Sequence, residues 1–379
     1  MKMKIIILVR ILWTAGAQKI AIAETKQLTE MGHKVKLIFL RKTESGNNLL
    51  NKLEEIDYEI FSGENYKPRG LYSFITGIFM PDRKGDGTLD YNLINKFAKS
   101  VKKGDADYII CHDQWAGMAG LKIKKRLGIP YSVMMHEHIN GKYSVPLLGR
   151  IATNTERKVL KNADKIFAVT EKIANNVTSV YGFKCTPDLV GMTLQKTRNF
   201  HDRNDIILAT STWGKDRSPD IYLDIITAIP NFKLYFIGRW NLKSEFEDFK
   251  ANVQTRNLQE KVVINDNIPD EELDKLYASS KFVIRFSGTS EYGPGISTVC
   301  SISHLTPVIT DSVLGISDII TKYGGGCITD KNNINKITDF ILENNNEINY
   351  NKLQNELMSI TKEYTWEYHC KILISMFGK

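Results

Sequence analysis

The chain has 379 residues, enough for two domains at about 100–200 residues each. With 42% hydrophobic and 25% charged residues, the composition excludes a disordered chain, a fibrous repeat and a small disulfide-stapled scaffold. The net charge of +8 is uneven: residues 1–195 carry +11 and residues 196–379 carry −3, which points to an anionic partner for the first half alone.

In chain order, Ile5–Val9 is an apolar run of buried-strand length, too short for a signal peptide. A turn containing Gly16 follows, and Ile20, Ala23, Leu28 and Met31 then recur at helical spacing up to Gly32. Val35–Leu40, Tyr108–Cys111, Tyr131–Met135 and Lys165–Val169 are further strand candidates, with helical stretches at Lys122–Leu127 and Ile151–Leu160. After a polar, weakly periodic break at 191–204 the pattern restarts. Strands are expected at Ile206–Ala209, Lys233–Ile237, Val262–Ile264, Phe282–Phe286 and Pro307–Thr310, and helices at Ile221–Ile229 and Asp270–Ser279. Strands alternating with helices predict two doubly wound parallel sheets. The expected division is a first domain over 1–195, a second over 196–355, and a C-terminal helix in 356–379 returning to the first. Ligands of such sheets lie beyond the carboxyl ends of the strands. The five cysteines are scattered and unpaired in pattern, as in a reducing cytoplasmic compartment, and no run of 18 apolar residues occurs.

Residues 287–298 carry the most chemistry. Gly293, Pro294 and Gly295 free the backbone just before a helix that opens with Ile296 and Ser297, a geometry in which amide groups hold a phosphate. Glu291 is an anion beside that position and suits sugar hydroxyls better than phosphate. The alternative is an ordinary strand-to-helix turn with a solvated Glu. In the first half, two strands run into His112-Asp113 and His136-Glu137-His138. Their imidazoles suit sugar hydroxyls, and Asp113 and Glu137 are candidate bases. His136 and His138 alternate on one face, which also suits a metal, but no further Cys or His pattern completes a metal site. The first turn lacks a full G-x-G-x-x-G and the second strand ends in Arg41 rather than an acid, which argues against a nicotinamide cofactor. Residues 67–84 bracket aromatic and apolar side chains with Lys67, Arg69, Arg83 and Lys84. This suits an interfacial anchor or lipid-acceptor groove, the alternative being a buried loop and short helix.

Together, Glu291, Gly293, Gly295 and the strand Pro307-Val308-Ile309 resemble the motif of the retaining glycosyltransferases of family 4, and residues 267–279 resemble the helix before it. Gly16, Gly32-His33, His112 and His136 stand where that family has its first glycine loop, its G-H-x-V turn and two histidines. The resemblance implies the GT-B fold, in which two Rossmann-like domains face a central cleft. It implies Lys215 and Arg217 as partners of the donor's diphosphate, Gly16 and residues 293–297 as donor contacts, and Glu291 and His136 as the catalytic pair. His112, Asp113 and Glu137 are then contacts for sugar or acceptor. Two departures stand out. The family's second Glu, eight positions after the first, falls on Val299 or, counted back from Pro307, on Cys300, and its usual diphosphate Arg falls on Thr212.

The expected activity is therefore transfer of a hexose from a UDP- or GDP-linked sugar to a hydroxyl of a lipid-linked or surface glycan, with retention at the anomeric carbon. No metal or other cofactor is implied, because the protein's own cations and amides face the leaving diphosphate. The expected location is the cytoplasm, at the inner membrane face, with no nucleic-acid partner. The missing second Glu keeps open a catalytically silent sugar-nucleotide binder or assembly subunit. A nucleotide-sugar 2-epimerase of the same architecture is a further alternative.

Overall fold

The computed structural model describes residues 2–13, 16–63, 66, 91–137, 146–266, 268–288 and 292–375, and for 44, 45, 48 and 146–152 it describes the backbone alone. The basic–aromatic segment 67–84, His138 and Glu291 therefore lie outside the described residues. The chain forms two compact units: residues 1–190 with 366–379, and residues 191–365.

The first unit is a seven-stranded sheet whose paired strands all run parallel. Its strands are β1 (Lys4–Leu12), β2 (Lys34–Lys42), β3 (Tyr58–Ile60), β4 (Tyr108–His112), β5 (Tyr131–Met135), β6 (Lys165–Ala168) and β7 (Thr186–Pro187). The order is β3-β2-β1-β4-β5-β6-β7. Eight of the nine residues of β1 are buried, because helices cover both faces of a parallel sheet and leave no polar side. Five described helices connect the strands: α1 (Gly16–Glu30), α2 (Tyr91–Ser100), α3 (Gly117–Leu127), α4 (Pro146–Asn162) and α5 (Glu171–Tyr181). In α1 the core-facing side is Gln18, Ile20, Ala21, Ile22, Glu24, Thr25 and Leu28. Of the positions expected from periodicity, Ala23 is only half-buried and Met31 lies past the helix end, so the face is rotated toward Glu24.

The second unit is a six-stranded parallel sheet in the order β10-β9-β8-β11-β12-β13. Its strands are β8 (Asn204–Thr210), β9 (Lys233–Ile237), β10 (Val262–Asn265), β11 (Ser280–Arg285), β12 (Val308–Thr310) and β13 (Gly326–Ile328). The helices are α6 (Asp220–Ala228), α7 (Lys243–Thr255), α8 (Asp270–Ser279), α9 (Ile296–Ser303), α10 (Ile316–Tyr323), α11 (Ile334–Glu343) and α12 (Glu347–Glu363). Trp213, Tyr222, Phe236 and Phe249 form an aromatic core on one face, with the Trp213 and Phe236 rings stacked at 3.7 Å.

The units part at Val190/Gly191 and at Thr365/Trp366, whereas the sequence placed these boundaries at 195/196 and 355/356. Helix α12 belongs to the second unit throughout, and the return to the first unit is made by α13 (Trp366–Ile374), which buries His369, Cys370 and Leu373. In each sheet the chain starts at the centre, winds to one edge, then crosses to the other side. The reversal falls between β1 and β4 in the first sheet and between β8 and β11 in the second. The crevice at such a switch point is where open α/β sheets bind ligands.

Candidate functional site

In the second unit the switch point lies between Thr210, the last residue of β8, and Arg285, the last of β11. The chain leaves β8 through a loop whose end is a single 3-10 turn, Lys215–Arg217. That loop packs tightly on the one following β9. Gly238 has φ +128°, and a Cβ there would stand 1.8 Å from the Ser211 carbonyl oxygen, so only glycine fits. The turn delivers Arg217 to the end of β11: a Cβ on Gly288 would stand 3.4 Å from the Arg217 guanidinium carbon and 2.5 Å from Asp216 Oδ2. Lys215 points elsewhere, to Asp248 on α7, at 3.9 Å and largely in solvent. Such a pair is worth little, leaving the ammonium free to change partner. The two cations of the loop thus diverge. A third, Lys331 after β13, donates to Ser218 Oγ at 2.8 Å and joins the turn from another direction.

The glycine turn is held by a buried carboxylate that the sequence reading missed. Asp311, just after β12, accepts from Ser287 N at 2.6 Å and Ser287 Oγ at 2.8 Å through Oδ2, and from the amides of Val313 and Leu314 through Oδ1. The Gly315 amide donates to the Gly293 carbonyl at 2.9 Å. Gly295, at φ +67°, turns the chain into α9, and a Cβ there would meet Leu314 Cδ2 at 2.5 Å. Pro294 is buried, while Gly293, Gly295, Ile296 and Ser297 are half-exposed at the amino end of α9. That end carries no acidic side chain in its first turn, so its amides and dipole favour an anion. Of the two positions where the resemblance expects a second Glu, Val299 is buried and Cys300 half-exposed. Thr212, at the expected Arg position, is half-exposed.

In the first unit the switch point lies between the ends of β1 and β4, and His112 is the last residue of β4. It is 1% exposed. Its Nδ1 stands 2.9 Å from Nε2 of His136, the residue after β5, and its Nε2 stands 2.8 Å from Glu24 Oε2 on α1. The sheet therefore brings His112 and His136 together and adds a buried carboxylate that periodicity did not reveal. Glu24 Oε1 also accepts from His369 Nε2 at 2.9 Å, and His369 Nδ1 stands 3.0 Å from Asp188 Oδ2 as an ion pair rather than an aligned hydrogen bond. Burial works against the Glu24 carboxylate, but the two histidines outweigh it and hold Glu24 at about 2. Burial also works against the His369 cation, yet Asp188 and Glu24 push it up to about 10. His136 goes the other way: burial, then His112, lower it to about 3, so its ring stays neutral.

Asp113 is a scaffold element here. Its φ of +76° is rare for a residue other than glycine. Its Oδ1 accepts from the amides of Trp115 and Ala116 at 2.7 Å each, and Oδ2 lies 3.7 Å from Arg10 Nε. Burial raises its carboxyl, while Arg10 and those amides pull it down. Glu137 is exposed and Gly16 opens α1. Among the described residues, no group of three or more His, Cys, Asp or Glu is arranged to hold a metal ion.

With this geometry in place, comparison with known proteins is decisive for the class. Residues 14–187 match the family described as Glycosyltransferase Family 4, and residues 195–356 match Glycosyl transferases group 1. The chain carries a family 4 glycosyltransferase domain followed by a group 1 glycosyltransferase domain. A curated relative, an uncharacterized glycosyltransferase of Methanocaldococcus jannaschii, is 26% identical over 336 residues, 84% of this chain and 89% of its own. Among solved structures, HepE of Anabaena in complex with UDP and glucose superposes with a TM-score of 0.75 at 14% identity, covering 99% of both chains. Sucrose-phosphate synthase of Thermosynechococcus elongatus gives 0.72 at 15% identity, covering 99% of this chain and 98% of its own. These likenesses establish the GT-B fold. Within it, the glycine turn before α9 belongs to the group 1 domain and the paired histidines to the family 4 domain. No described helix is long and apolar enough to cross a membrane.

Proposed function

We propose that the protein transfers a hexose from a nucleoside diphosphate sugar to a hydroxyl acceptor, with retention of anomeric configuration and without a metal ion. The observation that carries this reading is the Arg217 guanidinium at the end of β11, against Gly288, in a domain whose glycine turn leads into the acid-free amino end of α9. A diphosphate leaving group needs charge stabilisation as it departs. Fixed amides and a guanidinium supply it with little reorganisation. Lys215, released from its solvent-exposed pair with Asp248, adds a second cation, and Lys331 beside Ser218 a third. Glu291 holds hydroxyls of the transferred sugar, residues 293–297 are donor contacts in this unit, and Gly16 is a donor contact in the first. His136 contacts sugar or acceptor, backed by His112. The bound UDP and glucose of the HepE structure support a UDP-linked donor. The +11 charge of residues 1–195 supports an anionic, lipid-linked or surface-glycan acceptor at the inner membrane face.

The test is a matrix of UDP- and GDP-sugars, each with and without candidate glycan and lipid-linked acceptors, in buffer containing EDTA. Transfer in EDTA with an unchanged anomeric configuration supports the reading, and an absolute need for a divalent ion overturns its metal-free part. A second reading, a sugar-nucleotide binder without turnover, is favoured by one observation: neither Val299 nor Cys300 offers a carboxylate to a ribose. Donor binding without turnover across the matrix decides for it.

A further inference from the structure

Five side chains of the first unit form one connected line: His136, His112, Glu24, His369 and Asp188. They come from the ends of β5 and β4, from α1, from α13 and from the residue after β7. Four of them are 3% exposed or less, and only His136 is half-exposed. The hydrogens follow from the chemistry of each contact. Glu24 is an ionised acceptor, so His112 Nε2 and His369 Nε2 both carry hydrogen. His369, between two carboxylates, is a cation. Glu24, Asp188 and His369 then sum to one uncompensated negative charge in a dry site. What remains undetermined is a single hydrogen between His112 Nδ1 and His136 Nε2, 2.9 Å apart.

That hydrogen has two consistent placements. With His112 neutral, its Nδ1 accepts, His136 Nε2 donates, and Nδ1 of His136 is an acceptor. With one more proton in the pair, His112 becomes an imidazolium against Glu24, its Nδ1 donates to His136 Nε2, and His136 carries its hydrogen on Nδ1. His136 is neutral in both states, in keeping with its strongly lowered basicity. Its Nδ1 has no hydrogen-bond partner among the described residues.

We propose that His136, His112 and Glu24 form a proton relay: a proton accepted at His136 Nδ1 sends the His136 Nε2 hydrogen on to His112 Nδ1, and the resulting imidazolium is held by Glu24. One N–H bond forms at each histidine and one breaks at His136, so a single positive charge moves inward and cancels the buried excess. This rests on the reading of His136 as a sugar or acceptor contact, whose hydroxyl is the proton source. His136 then serves as a base without becoming a cation. His112 and Glu24 act through it as positioning residues. His369 and Asp188 set the charge that Glu24 presents. Among the described residues, the remaining charged groups near the pair are Glu137, exposed beside His136, and the Asp113–Arg10 pair next to His112.

The relay is tested without donor or acceptor, so its failure is distinct from failure of the proposed function. Full-length protein labelled with 15N in its seven histidines is followed by long-range imidazole spectra from pH 5 to 9, with His112→Gln and His136→Gln identifying the two rings. At the alkaline end His136 is expected as the Nε2–H tautomer. As the pair takes up one proton, His136 switches to Nδ1–H while His112 becomes the imidazolium. A His136 that protonates on both nitrogens, or keeps one tautomer throughout, overturns the proposal. Glu24→Gln removes a charged partner and should lower the midpoint of the switch by about one to two pH units, about 10- to 100-fold in proton affinity. His369→Gln removes a neighbouring cation and should raise it. Opposite shifts support the relay, and shifts of one sign for both variants overturn it. If either variant fails to fold, the wild-type tautomer switch alone decides.

Discussion

Replacing His369 with Leu removes the cation from between two carboxylates while nearly preserving volume. Glu24 and Asp188 side chains are 0% and 2% exposed, so neither can recover its lost partner from water. Removing one member of a buried ion pair typically costs about 3–5 kcal/mol, because a charge is left uncompensated. For a unit of this size, each kcal/mol lowers the melting temperature by about 2–4 °C, so the first unit should melt roughly 6–20 °C earlier. The pH dependence has a definite sign. His369 is raised to about 10 from an ordinary 6.5, so its contribution is complete below about 6.5 and is lost as pH rises toward 10. Glu24 is depressed to about 2 from 4.5, so its contribution is complete above about 4.5 and is lost as pH falls toward 2. Wild type should therefore gain most from the pair between about pH 4.5 and 6.5. In His369→Leu, acid relieves the stranded carboxylates, so the deficit should shrink as pH falls. Thermal unfolding followed by circular dichroism, with the fluorescence of Trp366 beside His369 as a local reporter, reads both effects. The triple variant with Leu at 24, 188 and 369 should recover much of the loss, since no charge is then buried. A single-variant cost below about 1 kcal/mol, or a triple variant no better than the single, would refute the reasoning.

Four further outcomes follow from the site. Glu291→Ala should lower turnover by about 100-fold or more, a loss of roughly 2.7 kcal/mol of transition-state stabilisation, with the melting curve unchanged; wild-type turnover would remove Glu291 from the site. Arg217→Ala should weaken UDP binding in calorimetry by about 1.5–3 kcal/mol, and Lys215→Ala by less, because Lys215 starts in solvent against Asp248; equal losses would contradict the divergence of the two side chains. Gly295→Ala should cost at least about 1 kcal/mol and weaken UDP binding, from its φ of +67° and the clash with Leu314; a neutral outcome in both assays would count against the rigid turn. Finally, the protein should sediment with anionic vesicles at low salt and be released at 1 M, where the Debye length falls to about 3 Å; replacing Lys67, Arg69, Arg83 and Lys84 with Ser should weaken that binding and leave UDP binding alone.

The parallel-sheet architecture was legible because buried parallel strands are continuous apolar runs. Lys233–Ile237 and Asp270–Ser279 have their expected limits, and Ile5–Val9 widens only to Lys4–Leu12. Short edge strands such as Tyr58–Ile60 and Gly326–Ile328 carry too few residues for a pattern. The glycine turn could be read because its chemistry is contiguous. Glu24 could not: a charged residue in a helix of weak periodicity reads as a solvent position, and its partners lie 88 and 345 residues away. Asp311 was missed for the same reason, since what it binds is mostly backbone, which leaves no trace in side-chain type.

The place of His369, 345 residues after Glu24, has a consequence for biosynthesis. Domains generally fold as units while the chain is still emerging, the amino-terminal one first. Here the first unit emerges with Glu24 and Asp188 already destined for its interior, but their cation is made 345 residues after Glu24, when the second unit is already complete. Until then, closing the first unit means burying two carboxylates without their counter-ion. The nascent first unit is therefore expected to stay loosely closed and to lock only when α13 docks. A stop codon in place of His369 should act as a folding defect of the amino-terminal unit.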